Sequence, residues 1–119
     1  MDGIYNPMKK IKIITVLGAR PQFIKAASLS PNFCNSDAEE IIVHTGQHFD
    51  EEMSNIFFDE MNISTPRYNL CIGGGSHAQN TGRMIEGLEN IFIKEKPNVV
   101  LIFGDTDSTL AAAITASKL

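Results

Sequence analysis

Residues 11–21 read IKIITVLGARP, and this stretch decides the architecture. Both alternations of the run Ile11–Leu17 carry apolar, mostly β-branched residues. A strand of that kind is buried on both faces, as in a parallel sheet sandwiched between helices. Gly18 breaks the strand. Pro21 stands where a helix would begin, because its missing N–H is no loss in a first turn.

Outward from this unit the pattern repeats. Residues 22–30 predict a helix with Phe23, Ile24, Ala27 and Ser30 on one side, limited or kinked by Pro31. Residues 40–45, EIIVHT, predict a second strand ended by Gly46. Residues 50–61 predict a helix, with Met53, Ile56, Phe57 and Met61 at helical spacing. Asp50, Glu51 and Glu52 in its first turn complement the helix dipole. Residues 66–70 predict a short extended piece.

Gly73, Gly74 and Gly75 then form a break. A helix is predicted over His77–Glu95, with Ala78, Met84, Ile85, Leu88, Ile91 and Phe92 on its apolar face and Pro97 as its stop. Residues 98–103, NVVLIF, predict a buried strand. Gly104 and Asp105 turn into a last helix over 106–118, whose small residues suit close packing on a sheet. Strands alternating with helices predict right-handed βαβ crossovers. The expected fold class is α/β, a Rossmann-like parallel sheet with helices on both faces.

Composition narrows the function. The chain has 119 residues, 43% hydrophobic and 20% charged, as expected of one ordinary globular domain. Its formal net charge of -4 lacks the basic stripe of a nucleic-acid binder. Lys9, Lys10 and Lys12 read as a solvated flank beside the first strand. Cys34 and Cys71 show no metal-type spacing and read as reduced thiols. No apolar run approaches the ~20 residues of a membrane span. Residues 1–8 read as a leader without the apolar core of a secretory signal. A cytoplasmic protein without membrane partners is expected, with residues 9–119 as the domain.

Ligands of such sheets bind at the carboxyl ends of the strands. Three turns fall there, beginning at Gly18, Gly46 and Gly104. Helix N-termini suit phosphates, because their N–H groups are unpaired and the dipole is positive there. Arg20 and Lys25 could face a diphosphate from the first turn, or could be plain surface cations. Asp105 follows the last strand directly. Its ordinary use there is to cap the helix, and Thr106 could cap as well. Its chemical use is as a carboxylate contacting a sugar or moving a proton. Asp107, Ser108 and Thr109 add polar groups to that turn. The glycines at 73–75 could approach a phosphate or form a simple loop. His44, His48 and His77 are scattered, with no zinc spacing; no metal is expected. No Walker loop or G-x-G-x-x-G motif is present.

Three motifs in order are diagnostic: GARPQFIKA at 18–26, HTGQHFD at 44–50 and GDTDSTLAAA at 104–113. They resemble the non-hydrolysing UDP-N-acetylglucosamine 2-epimerase family. ARPQFIKA together with IIVHTGQHFDEEMS looks closer to the branch acting on UDP-2,3-diacetamido-2,3-dideoxyglucuronate. The resemblance implies two Rossmann-like domains in the glycosyltransferase-B arrangement, this chain being a truncated N-terminal portion without the C-terminal domain. It implies an isomerase that inverts C2 by anti elimination of UDP to a 2-acetamidoglucal and re-addition, with no nicotinamide or other cofactor.

The resemblance also assigns residues. Arg20 and Lys25 match the substrate-binding Arg and Lys, and Asp105 matches an Asp of catalysis or substrate contact. Gln47, with His48 beside it, matches a Gln that in some bacterial members binds a second, regulatory UDP-N-acetylglucosamine. Asp50 departs from the Glu or Gln usual in that segment, which counts against such regulation. A UDP-sugar substrate and a homodimeric intact enzyme are implied. The family's catalytic Glu and His residues fall outside the 119 residues, so this chain alone is expected to lack turnover. A non-catalytic phosphate-binding or interaction module is the reading from another class, and a glycosyltransferase N-terminal domain is a third. An unpaired sheet edge and an apolar patch left by truncation would favour self-association or a partner chain.

Overall fold

The computed structural model describes residues 11–18, 20–34, 37–46, 65–104 and 106–119, without the side chains of Arg20, Pro31 and Cys34. The elements run β1 (Ile11–Leu17), α1 (Arg20–Ala27), α2 (Ser30–Cys34), β2 (Ala38–His44), β3 (Tyr68–Asn69), α3 (His77–Glu95), β4 (Val99–Leu101) and α4 (Asp107–Lys118). The helix expected over 50–61 lies outside the described residues.

Among the described residues the sheet has the order β3-β2-β1-β4, and every pairing is parallel. β1 is therefore central, with β2 along its full length and β4 against Ile13, Ile14 and Thr15. Its side chains alternate between two cores, as strand geometry requires. Ile14 and Val16 join Ile41, Val43, Met84, Leu88, Ile91, Phe92, Ala111 and Ala112 on the α3/α4 side. Leu17 joins Phe23, Ala26 and Ile42 on the α1 side. The helix-covered, two-faced sheet read from Ile11–Leu17 is the structure found.

The first helix differs from expectation. It ends at Ala27, and a separate short helix starts at Ser30. Tight bonds from Ser28 N–H to the Lys25 carbonyl (3.2 Å) and from Leu29 N–H to the Ala26 carbonyl (3.0 Å) close it. Pro31 cannot supply an interior N–H, so it falls in the first turn of the next helix. The buried face of α1 is Gln22, Phe23 and Ala26, while Ile24 is 50% exposed. A polar residue takes the inward position because its hydrogen bonds are satisfied there.

α3 has the predicted limits. Ser76 caps it in a capping box with Gln79, and Lys96 ends it in the left-handed conformation at φ 50° just before Pro97. Ala78 is exposed, and Asn80 is the buried residue of that first turn. β2 begins at Ala38, two residues before the predicted strand. β4 stops at Leu101, short of the predicted Phe103. The Phe103 carbonyl bonds side chains instead of a strand.

At the amino ends of the strands, Lys12 is not a free solvated flank. Its Nζ donates to the Glu95 carbonyl at 3.0 Å and pairs with the Glu95 carboxylate at 3.3 Å. Tyr68 donates to the same carboxylate. These contacts, led by the Tyr68 hydrogen bond, hold the Glu95 carboxyl below its ordinary range. β4 pairs with β1 alone among the described residues. Beside it an open groove of about 540 Å³ is lined in part by Phe92, Ile93, Val100, Ala116 and Leu119.

Candidate functional site

The strand order contains a switch point. From β1 the chain steps to β2 and β3, then returns to β4 on the other side of β1. Parallel sheets open a crevice at the carboxyl ends of the strands at such a point. Two of the predicted turns, after β1 and after β4, flank it.

One buried side chain joins those turns. Gln22, 4% exposed, accepts the Gly18 N–H on Oε1 at 2.8 Å. Its Nε2 donates to the Phe103 carbonyl at 2.6 Å, and to Thr106 Oγ1 and Thr109 Oγ1 at 3.1 and 3.2 Å. Thr109 Oγ1 also donates to the Phe103 carbonyl at 2.6 Å. Thr106 caps α4, its side chain accepting from Thr109 N–H. The capping role considered for Asp105 therefore belongs to Thr106.

The turn after β2 is tied to the same place. Thr45 N–H donates to the Leu17 carbonyl at 2.9 Å. Thr45 Oγ1 and Ser108 Oγ lie 2.8 Å apart in the interior. His77, at the start of α3, meets Asp107, at the start of α4, at 2.8 Å. The hydrogen bond that His77 makes to the Asp107 carboxylate, then the charge of that carboxylate, raises the His77 pKa above the ordinary imidazole value. Gly75 N–H donates to Asn80 Oδ1 at 3.2 Å, so that glycine serves the start of α3.

The expected site residues divide as follows. Arg20 opens α1 directly at the switch point, and Lys25 is exposed in the last turn of the same helix. Asp105, Gln47 and His48 lie outside the described residues. Asp105 is flanked in sequence by Gly104 and the cap Thr106. Cys71 is a free, exposed thiol. Among the described residues no group of metal-binding side chains gathers, and no helix is long and apolar enough to cross a membrane. Ser108 was among the polar groups expected in the turn after β4, whereas Gln22 and Thr45 were missed because buried polar residues look like surface residues in a sequence. The spacing of Gln22 to Ala26, one helical turn, was the available signal that both face inward.

His44 ends β2 and is 3% exposed. Its ring lies against Phe23 with centroids 5.0 Å apart. Nδ1 accepts the Gly46 N–H at 2.8 Å, which leaves the ring proton on Nε2. Nε2 has no partner among the described residues. Burial pushes the His44 pKa below the ordinary imidazole value. The unfolded chain then binds the proton more readily than the folded one. Stability is fully present above about pH 6.5 and falls as pH drops from there toward the lower folded pKa. The raised His77 has the opposite sign, its contribution being lost as pH rises, but its side chain is 93% exposed and solvent screens it. The expected result is a lower urea midpoint at about pH 5.5 than at pH 7.5. His44→Asn, which keeps an acceptor for Gly46 and cannot charge, should flatten that slope. An equal slope in the variant would remove His44 as its cause.

Known proteins with this arrangement give it a family. Residues 33–119 match the family described as UDP-N-acetylglucosamine 2-epimerase. The chain belongs to the UDP-N-acetylglucosamine 2-epimerase family. It is 57% identical over 109 residues to a UDP-N-acetylglucosamine 2-epimerase homolog of Methanococcus maripaludis, covering 92% of this chain and 30% of that protein. It is 56% identical over 110 residues to the UDP-2,3-diacetamido-2,3-dideoxy-D-glucuronate 2-epimerase of Pseudomonas aeruginosa, covering 92% and 31%. Among solved structures, the Methanocaldococcus jannaschii UDP-GlcNAc 2-epimerase in complex with UDP-GlcNAc and UDP superposes with a TM-score of 0.85. That match has 42% identity and covers 91% of this chain and 30% of the other. The chain thus spans about a third of the length of the epimerases it matches.

Proposed function

We propose that this chain supplies the N-terminal part of the nucleotide-sugar site of a UDP-sugar 2-epimerase. The supporting observation is the switch point itself, where the turn bearing Arg20 is hydrogen-bonded through Gln22 to the residues on either side of Asp105. Arg20, at the start of α1, binds the diphosphate with help from Lys25. A guanidinium suits this role because it forms paired hydrogen bonds to phosphate oxygens. Asp105 contacts the sugar and takes part in proton movement.

The reaction is an isomerisation at C2. The C2 proton is removed as the C1–O bond to UDP breaks, giving a glycal. UDP returns to C1 and a proton to the opposite face of C2. Atoms balance without an external oxidant or cofactor. Residues 9–119 form the N-terminal Rossmann-like domain, and the greater length of the relatives supplies the facing domain and the remaining acid–base groups. A soluble homodimer in the cytoplasm is the proposed setting. The UDP-2,3-diacetamido-2,3-dideoxyglucuronate substrate is the second reading, favoured by the 56% identity to the Pseudomonas aeruginosa enzyme.

The test is titration with UDP. The unmodified chain should bind UDP, and Arg20→Ala should weaken binding by about 10- to 100-fold, the size of a lost charged hydrogen bond. Equal affinity for UDP in the two proteins would rule out the diphosphate role of Arg20.

A further inference from the structure

We infer that Gln22 is a positioning residue of the nucleotide site, acting as a buried clamp that sets the spacing between the turn after β1 and the turn after β4. The inference rests on the proposed UDP-sugar site and adds to it a residue that need not touch the ligand.

The carboxamide is built into both turns. Its oxygen holds Gly18, two residues before Arg20. Its nitrogen holds Phe103 and Thr106, which bracket the turn containing Asp105. The bonds bridge sequence separations of 81 to 87 residues. Thr109 closes the ring by bonding both Gln22 and the Phe103 carbonyl. Gln22 itself is shielded from water and its bonds to the second turn are part-buried, so each hydrogen bond is stronger, and each orphaned group costs more, than at the open surface.

No apolar side chain could replace it. The ladder between β1 and β4 covers Ile13 to Thr15 only. Beyond Thr15 and Leu101 the two backbones continue without strand bonds between them. Gln22 begins its work there, extending the tie between the strands up to the rim of the crevice. A glutamine has both an acceptor for Gly18 N–H and donors for Phe103 and the threonines. Glutamate would lose the donors, and methionine would lose both.

The test is a mutant cycle read by UDP binding, with thermal midpoints recorded beside it. Gln22→Met is isosteric and should weaken UDP about tenfold, the loss expected when one well-oriented contact is misplaced. In the Arg20→Ala background the same change should weaken UDP by less than about twofold, because the group being positioned is gone. The thermal midpoint should fall equally in both backgrounds. Should Gln22→Met fail to fold, Thr109→Val removes the outer bonds of the clamp while leaving Gly18 bonded to Gln22, and should show the same background dependence. Equal UDP losses in both backgrounds would reduce Gln22 to a general stabilising residue and overturn the inference. If Arg20→Ala leaves UDP binding unchanged, the diphosphate site itself is wrong. If Arg20→Ala weakens UDP and the clamp variants do not, only the clamp is wrong.

Discussion

Phe23→Ala should destabilise the fold by about 4 kcal/mol, the usual cost of emptying a buried aromatic site. Phe23 has no solvent exposure and is the largest fully buried side chain among the described residues. It is the anchor of the α1-side core, where it meets Leu17, Ala26 and Ile42 and lies against the His44 ring. Among the described residues that core is small, so little in it can relax into the space. Its lining comes from β1, β2 and α1 with Phe103 beyond β4, and the strands among these cannot collapse without breaking their ladders. A total stability of about 5–15 kcal/mol leaves a small margin after such a loss. The urea midpoint should fall with an unchanged slope. Because α1 also carries Arg20, UDP binding should weaken in the same variant. A loss below about 1 kcal/mol would mean that α1 is not packed on the sheet as described.

The second large effect belongs to the turn after β2. Gly46→Ala should cost about 3 kcal/mol, from two sources that act together. Gly46 has φ 88°, in the left-handed region that a side chain disfavours. A Cβ placed there would lie 2.7 Å from the Ile72 nitrogen and 2.8 Å from the Cys71 Cα. Those are backbone atoms and cannot swing aside as a side-chain tip could. The neighbouring segment is itself fixed, since Ile72 N–H bonds the Thr45 carbonyl at 2.9 Å. The expected damage is a lower unfolding midpoint together with faster amide exchange at Ile72. A midpoint within about 0.5 kcal/mol of the parent would contradict the close approach.

These two positions illustrate what could be read from the sequence. Phe23 was legible as core, since it is apolar and lies next to a strand that is apolar on both alternations. β1 and the limits of α3 were legible, because an unbroken β-branched run and a long 3.6-residue repeat between Ser76 and Pro97 leave few alternatives; the buried place of Asn80 in the first turn was not. Gly46 was legible as a strand terminator, but its contact with Cys71 and Ile72 depends on a return of the chain that local pattern does not encode. Gln22 was hidden for a different reason. Polarity signals exposure only when hydrogen-bond partners are absent, and the partners of its Nε2 lie more than 80 residues away. The short β4 follows from the same cause, since side chains claim the Phe103 carbonyl. The roles proposed for Arg20, Lys25 and Asp105 rest on family motifs rather than on periodicity, because a cation on a helix and an acid in a turn have ordinary uses too.

The central place of β1 sets an order of events at the ribosome. This strand is made before β4, and the residue that pairs with Lys12 on its β4 side, Asn98, is 86 positions later. At a synthesis rate of about 5–20 residues per second, that flank stays open for on the order of ten seconds. During this interval a strongly apolar strand has one finished side and one bare one. Nascent chains therefore pass through a sticky stage, and the crevice between the turns after β1 and β4 takes shape only once β4 has emerged.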